Sequence, residues 1–295
     1  EVIAVKDNIV ITCHVAPDGD AIGSSLGLYH FLRKLNKQVT VVVPDMVPRN
    51  LHFLPGMKYV LVYTQQPEKA AAAIENADLV FCLDYNALHR VDKLSPNVAQ
   101  SKAYKVLIDH HLEPEDFCNL TISHPEISST CEVIFRIIWQ MGRYRFMSRS
   151  SAECIYTGMM TDTGAFTYNS NDREIYLIIG ELLSKGIDKD EIYRNVYNNN
   201  SESRLRLQGY VLCDKMQIFP EFRAALITLS REEQKRFHYV KGDTEGLVNI
   251  PLSIKDVCFS VFLREDTEKD MIKISLRSVC TFPCNQVATE FFNGG

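Results

Sequence analysis

ITCHVAPDGDAIGSS, residues Ile11 to Ser25, reads as the end of a buried strand, a short loop and the start of a helix. The apolar, β-branched run before it, Asn8 to Cys13, has the length and composition of a parallel-sheet strand. His14 stands at the strand exit, Asp18 and Asp20 lie in the loop, and a helical pattern runs from about Ala21 to Leu35. One imidazole and two carboxylates within seven residues suit a metal ion. Aspartate also suits a turn or a helix N-cap, so the loop by itself leaves both readings open.

Outward from this stretch the same grammar repeats. Strands are expected at Gln38 to Pro44, Ala77 to Asp84 (ADLVFCLD) and Tyr104 to Asp109 (YKVLID). Helices are expected at Pro67 to Glu75, Thr130 to Met141, Ser150 to Met160, Asn171 to Lys185 and Asp188 to Tyr197. Strands alternating with helices at this spacing predict an α/β fold, a Rossmann-like parallel sheet. After the polar stretch NNNSES (198–203) the texture changes. Strands are expected at Ala224 to Leu229, Val257 to Leu263 and Met271 to Leu276, with helices at Arg231 to Phe237 and Asn285 to Phe292, which describes a smaller C-terminal α/β domain. The expected division is 1–186, a helical linker 187–204, and 205–295.

The 295 residues are 46% hydrophobic and 23% charged, enough to bury full cores, and the formal net charge of −5 argues against indiscriminate polyanion binding. Long duplex DNA is therefore not an expected partner, and the oligomeric state is left open. The nine cysteines are scattered, the closest pair being Cys280 and Cys284, and read as reduced thiols rather than a disulfide framework or a zinc site. No run approaches the roughly 20 apolar residues of a membrane helix, and the first residues lack a signal-peptide layout. A cytoplasmic protein without a membrane partner is expected.

The polar residues gather where an open α/β sheet binds ligands, outside the carboxyl ends of its strands. His14, Asp84 and Asp109-His110-His111 each close a predicted strand. Asp162, in TGMMTDTGAF (157–166), follows a helical run among small residues that let a backbone come close. Singly, Asp84 could cap a loop and Asp162 could end a helix. Together, His14, Asp18, Asp20, Asp84, His110 and Asp162 offer two imidazoles and four carboxylates, too many for one ion and suitable for two. Such donors favour Mn²⁺, or Mg²⁺, Fe²⁺ or Co²⁺, over thiolate-bound zinc. Two ions about 3.5–4 Å apart suit phosphoester hydrolysis. Two competing motifs are missing: no phosphate-cradling Gly-x-x-x-x-Gly-Lys-Ser/Thr and no Gly-x-Gly-x-x-Gly occur. Cys13 beside His14 reads as core rather than as a nucleophile.

HVAPDGDAIGS (14–24), the strand-ending Asp84, Asp109-His110-His111 and TGMMTDTG (157–164) resemble, in order, the four motifs of the DHH phosphoesterases. TEGLVNIPLSIKDV (244–257), with SLRS (275–278) and the glycine-rich end, resembles their C-terminal DHHA1 substrate domain. The likeness is greatest to the bacterial nanoRNA/pAp phosphatases, bifunctional oligoribonucleases whose names sometimes read exopolyphosphatase-related. It implies one Mn²⁺ on His14, Asp18 and Asp84 and a second on Asp20, Asp84, His110 and Asp162, with Asp84 and a nucleophilic hydroxide between them. It further implies that His111 contacts the scissile phosphoryl group, that Asp109 orients the histidines, and that Arg277 binds a substrate phosphate. The implied substrates are very short RNAs or 3′-phosphoadenosine 5′-phosphate (pAp). Cyclic-dinucleotide phosphodiesterase, exopolyphosphatase and pyrophosphatase remain alternatives. The basic Ser-Arg-Lys-Lys run of the family II pyrophosphatases is absent, which lowers the last. A catalytically silent nucleotide-binding module is the non-enzymatic alternative, and the six intact ligand positions speak against it. The family's terminal Gly-Gly-Gly-His has no match, since the sequence ends Asn293-Gly294-Gly295.

Overall fold

In the computed structural model, which describes residues 2–279 and 281–292, the chain divides into two units after Asn199. Cys280 and Asn293-Gly294-Gly295 lie outside the described residues.

The first unit opens with a single helical turn, α1 (Val2–Val5), and then alternates strands with helices. Its strands are β1 (Asn8–Thr12), β2 (Gln38–Val43), β3 (Leu61–Val62), β4 (Leu79–Leu83), β5 (Tyr104–Asp109) and β6 (Leu120–Ser123). The helices are α2 (Gly19–Lys34), α3 (Pro67–Glu75), α4 (Ser95–Gln100), α5 (Thr130–Gln140), α6 (Arg149–Asp162), α7 (Arg173–Ser184) and α8 (Lys189–Tyr197). All six strands are parallel, in the order β3-β2-β1-β4-β5-β6. Strand order therefore reverses between β1 and β4, the point at which doubly wound sheets open a crevice.

Helices cover both faces of the sheet, and the strands accordingly read as unbroken apolar runs; all five residues of β4 are buried. Alternate residues serve opposite cores. Ile9, Ile11, Leu79, Phe81 and Leu83 face the core shared with α2, α5, α6, α7 and α8, whereas Val10, Val80 and Cys82 face that shared with α3 and α4. Helix α8, inside the stretch 187–204 expected to be a linker, contributes Ile192 and Val196 to the first core.

One helix pair sets the geometry of the crevice. A Cβ added at Gly19, Gly23 or Gly27 of α2 would fall 2.2 Å from Thr161 Oγ1, 2.6 Å from the Cys154 carbonyl and 2.6 Å from Ile155 Cγ1, all on α6. A glycine every fourth residue lines one helix face, so the two backbones nearly touch. That contact brings the start of α2, with Asp18 and Asp20, to the end of α6, with Asp162.

The second unit contains α9 (Glu202–Tyr210), which runs into a π-helical turn at Val211–Lys215, then β7 (Gln217–Phe219), β8 (Ala224–Leu229), α10 (Arg231–Arg236), β9 (Phe259–Glu265), β10 (Ile272–Ser278) and α11 (Cys284–Phe292). Its sheet runs β10-β9-β8-β7, with β8 and β9 parallel and the outer pairs antiparallel. Leu207, Val211, Ile227, Leu229, Leu247, Val248 and Phe262 form its core.

The α/β expectation and the smaller second sheet are borne out. Boundaries moved where caps decide them. Helix α2 begins at Gly19 rather than Ala21 because Asp18 is its N-cap, accepting from the amides of Asp20 and Ala21. Ser201, inside the polar stretch 198–203, caps α9, a helix the sequence reading missed because its apolar residues form no clear stripe. Edge strand β6 also went unread; its residues are exposed or half-buried, so its composition carries little strand signal. Among the described residues, no helix is long and apolar enough to cross a membrane.

Candidate metal centre

His14 leaves β1 and Asp84 leaves β4 at the switch point, and Asp109-His110-His111 leaves the adjacent β5. The α2–α6 contact adds Asp18, Asp20 and Asp162. The structure thus brings together every metal-ligand candidate of the sequence reading, in three overlapping groups that could each hold a metal ion: His14-Asp18-Asp84, Asp20-His110-Asp162 and Asp84-His110-His111.

Asp84 is at the centre. Its Oδ2 is 3.4 Å from His14 Nε2 and its Oδ1 is 3.6 Å from His110 Nε2. On the far side of His14, Nε2 lies 3.6 Å from Asp18 Oδ1. On the far side of His110, Nε2 lies 3.4 Å from Asp162 Oδ2 and 3.9 Å from Asp20 Oδ2. Asp84 adopts a left-handed backbone, φ 62°, uncommon for a residue with a side chain though aspartate tolerates it better than most. The bend directs the side chain into the crevice while its amide stays bonded to the Ile108 carbonyl.

The imidazoles are held in defined tautomers. A carbonyl can only accept, so His14 Nδ1–H donates to Val15 O (2.7 Å) and His110 Nδ1–H to Ile127 O (3.2 Å), leaving each Nε2 as the ring nitrogen that faces the carboxylates. Asp109, fully buried, takes both the His111 amide and His111 Nδ1 (2.7 Å). Of the two histidines that the resemblance has Asp109 orient, it touches His111; His110 relies on a backbone carbonyl.

Charge in the cluster is unbalanced. Asp20 and Asp84 are 1% and 2% exposed, and the ion-pair partners of Asp20, Asp84 and Asp162 among the described residues are histidines only. Burial raises Asp20 well above the usual carboxylate range, and Asp84, Asp162 and Asp18 push it further, against the amide of Cys131. Burial likewise lifts Asp162 to about 6, His110 opposing and Asp84 and Asp18 assisting. Burial resists charging His14, yet Asp18 and Asp84 outweigh it and raise its pKa to about 11. Burial also opposes ionisation of Asp18, but His14 and two helix amides hold it below its ordinary value. The hydrogen bond to Asp109 raises His111 against its burial. Crowded buried carboxylates that raise one another's pKa suit a cation between them, and hard oxygens with neutral imidazole nitrogens fit divalent metal ions.

Several partners were invisible in the sequence. Thr130 Oγ1 donates to Asp84 Oδ1 (3.0 Å), and the amides of Thr130 and Cys131 donate to Asp20. Arg90, half-buried in the turn after β4, is near enough to His111 to oppose its protonation, and its carbonyl accepts from Val15 N (2.7 Å). Among the described residues its guanidinium has no hydrogen-bond or ion-pair partner. Its position six residues past Asp84 was the only available signal. Cys13 is fully buried, and burial, then Asp84 and Asp18, push its thiol well above the ordinary value, which removes it as a nucleophile. Arg277 belongs to the second unit, exposed on β10, with Nη1 donating to the Leu276 carbonyl.

Comparison with known proteins agrees with the geometry. The profile of the DHH family, N-terminal domain, matches residues 8–159. A Thermus thermophilus protein named bifunctional oligoribonuclease and PAP phosphatase NrnA is 30% identical over 292 residues, spanning 99% of this chain and 82% of its own. The Bacillus subtilis protein of that name is 24% identical over 294 residues, spanning 99% and 88%. The crystal structure of an exopolyphosphatase-related protein from Bacteroides fragilis matches with a TM-score of 0.97 at 63% identity, covering 100% of this chain and 86% of that one.

Proposed function

The chain belongs to the DHH family of phosphoesterases, and on that footing we propose that it hydrolyses short oligoribonucleotides and pAp with the help of two divalent cations. His14, Asp18 and Asp84 would hold the first ion, and Asp20, Asp84, His110 and Asp162 the second. The observation that carries this reading is the split of Asp84, whose two oxygens face two different histidines. Carboxylate oxygens with imidazoles make Mn²⁺ the first ion to test, with Mg²⁺, Co²⁺ and Fe²⁺ behind it. A bound pair of such ions lowers the pKa of a water and neutralises charge developing on phosphoryl oxygens.

The protein's own groups do the rest. Buried Asp109 holds His111 by Nδ1, so His111 Nε2 is left for a phosphoryl oxygen, and the hydrogen bond to Asp109 raises the pKa of the ring, which favours a donor there. Arg90 adds a guanidinium near it, suited to bidentate contact with a phosphate. The exposed guanidinium of Arg277 has the same chemistry. A net charge of −5 confines attraction for polyanions to such local groups, which suits a very short substrate.

The test is an assay of chelator-stripped protein resupplied with Mn²⁺, on di- and trinucleotide RNA, pAp, a cyclic dinucleotide, pyrophosphate and polyphosphate, with Asp84→Ala as control. Mononucleotide release from short RNA, or adenosine 5′-phosphate release from pAp, is expected. Activity confined to polyphosphate would sink the proposed substrate class. Hydrolysis undiminished in Asp84→Ala would sink the two-ion assignment.

A further inference from the structure

We propose that Thr130 is a positioning residue that makes Asp84 bridge two ions instead of chelating one. The inference rests on the two-ion reading above and adds to it the device that keeps the ions shared.

Thr130 is the first residue of α5, is fully buried, and touches two of the acids at once. Its amide donates to Asp20 Oδ2 (2.6 Å), and the next amide, of Cys131, donates to Asp20 Oδ1 (2.9 Å). Amides in the first turn of a helix have no partner within the helix and carry its positive end, so they suit a carboxylate. Ser129 caps the same turn, taking the Glu132 amide. The Asp20 carboxylate, one amide on each oxygen, is therefore oriented by backbone groups of the first turn of α5.

The Thr130 hydroxyl does for Asp84 what those amides do for Asp20. It donates to Oδ1 at 3.0 Å, the oxygen that faces His110. A carboxylate turns easily about its Cβ–Cγ bond, and Asp84 could present both oxygens to one ion. To do so it would have to turn Oδ1 away from Thr130 and give up a charge-assisted hydrogen bond in a site where its side chain is 3% exposed. With that bond kept, Oδ1 stays toward His110 and Asp162, and Oδ2 toward His14 and Asp18. The branched Cβ of threonine restricts χ1 and so limits the directions in which the hydroxyl can point. The surroundings leave no slack: a Cβ at Gly158 of α6 would fall 2.2 Å from Cys131 Sγ and 2.9 Å from Asp20 Oδ1.

Thr130→Val keeps the branched shape and the backbone amide and removes only the hydroxyl; Thr130→Ser keeps the hydroxyl. The readouts are Mn²⁺ titration of chelator-stripped protein by calorimetry, and the low-temperature paramagnetic resonance spectrum of protein loaded with two equivalents, where a bridged pair gives an exchange-coupled signal. Thr130→Val is expected to weaken one of the two binding steps about 10-fold or more, the usual cost of losing a group that orients a metal ligand. The coupled signal should give way to that of isolated ions, kcat should fall more than KM rises, and Thr130→Ser should restore all three. Two unchanged binding steps and a full coupled signal in Thr130→Val would overturn the proposal. So would a folded Thr130→Ser as defective as the valine variant. Only one ion bound by the unaltered protein would overturn the two-ion reading itself, and this inference with it.

Discussion

Asp162→Asn should make the metal-free protein more stable and the metal-loaded protein less so. Asp162 ends α6, where a negative charge meets the unfavourable end of the helix dipole, and its side chain is 28% exposed. Burial, Asp84 and Asp18 hold its pKa at about 6 against an ordinary 3.8, with the pull of His110 already included. At 1.36 kcal/mol per pH unit, ionising Asp162 at pH 7 costs the metal-free fold on the order of 3 kcal/mol. Asparagine has the same shape and no charge. Part of the gain is lost because its amide must find partners in a half-open site, so a net of about 1–2 kcal/mol remains. For a unit of this size that raises the melting temperature by roughly 2–8 °C. The sign follows from linkage. A carboxyl whose pKa is higher folded than unfolded favours the fold below about 3.8, and that favour is lost as pH rises through about 6. The advantage of the asparagine variant should therefore vanish at pH 4 and be complete at pH 7.5. Added Mn²⁺ should reverse the order, because each tenfold loss of affinity removes about 1.4 kcal/mol of ligand-linked stabilisation. Thermal unfolding in chelator and in millimolar Mn²⁺, at both pH values, tests the whole chain of reasoning. A chelated variant no more stable than its parent at pH 7.5, or an equal Mn²⁺ shift in both, would refute it.

Three further outcomes are expected. Since His14 is held near 11 in the metal-free cluster and only neutral imidazole binds an ion, loading at pH 7.5 should release about one proton from it. Calorimetry in two buffers of different ionisation enthalpy reads the release, and identical heats would contradict it. Gly158→Ala gains about 1 kcal/mol of helix propensity but overpacks the contact with Cys131 and Asp20, at a typical cost of about 1–3 kcal/mol. Its denaturation midpoint should drop and its ion affinity fall with the displaced Asp20; an unchanged midpoint with unchanged affinity would show that the contact can yield. Arg90→Ala should raise KM for short RNA or pAp several-fold while leaving Mn²⁺ titration as it was, and a matching loss of ion binding would place Arg90 in the metal cluster rather than at the substrate.

What could be read from the sequence, and what could not, divides along a physical line. Ligands at strand exits were legible because a parallel strand announces itself as an apolar run, and the first polar residue after it must lie at the carboxyl edge of the sheet. His14, Asp84 and the Asp109-His110-His111 triplet were all found this way. Asp18 was read as either cap or ligand, and the structure shows why the two cannot be told apart by sequence: the oxygen that caps α2 is the one 3.6 Å from His14. The supporting groups were illegible for different reasons. The donors to Asp20 are backbone amides, which any residue provides, and nothing in TCEVIFRIIWQ says that the first turn of α5 ends on a carboxylate 110 residues away. That placement depends on how closely α2 and α6 approach. Here a signal did exist, because Gly19, Gly23 and Gly27 repeat every fourth residue along one face of α2. Such a stripe in a buried helix predicts a partner backbone at near contact, and TGMMTD, which ends at Asp162, is a later segment carrying both a glycine and a carboxylate at a helix end. The glycines and the acids are thus parts of one arrangement: the close approach that small residues permit is what draws Asp20 and Asp162, from distant parts of the chain, onto the same histidine.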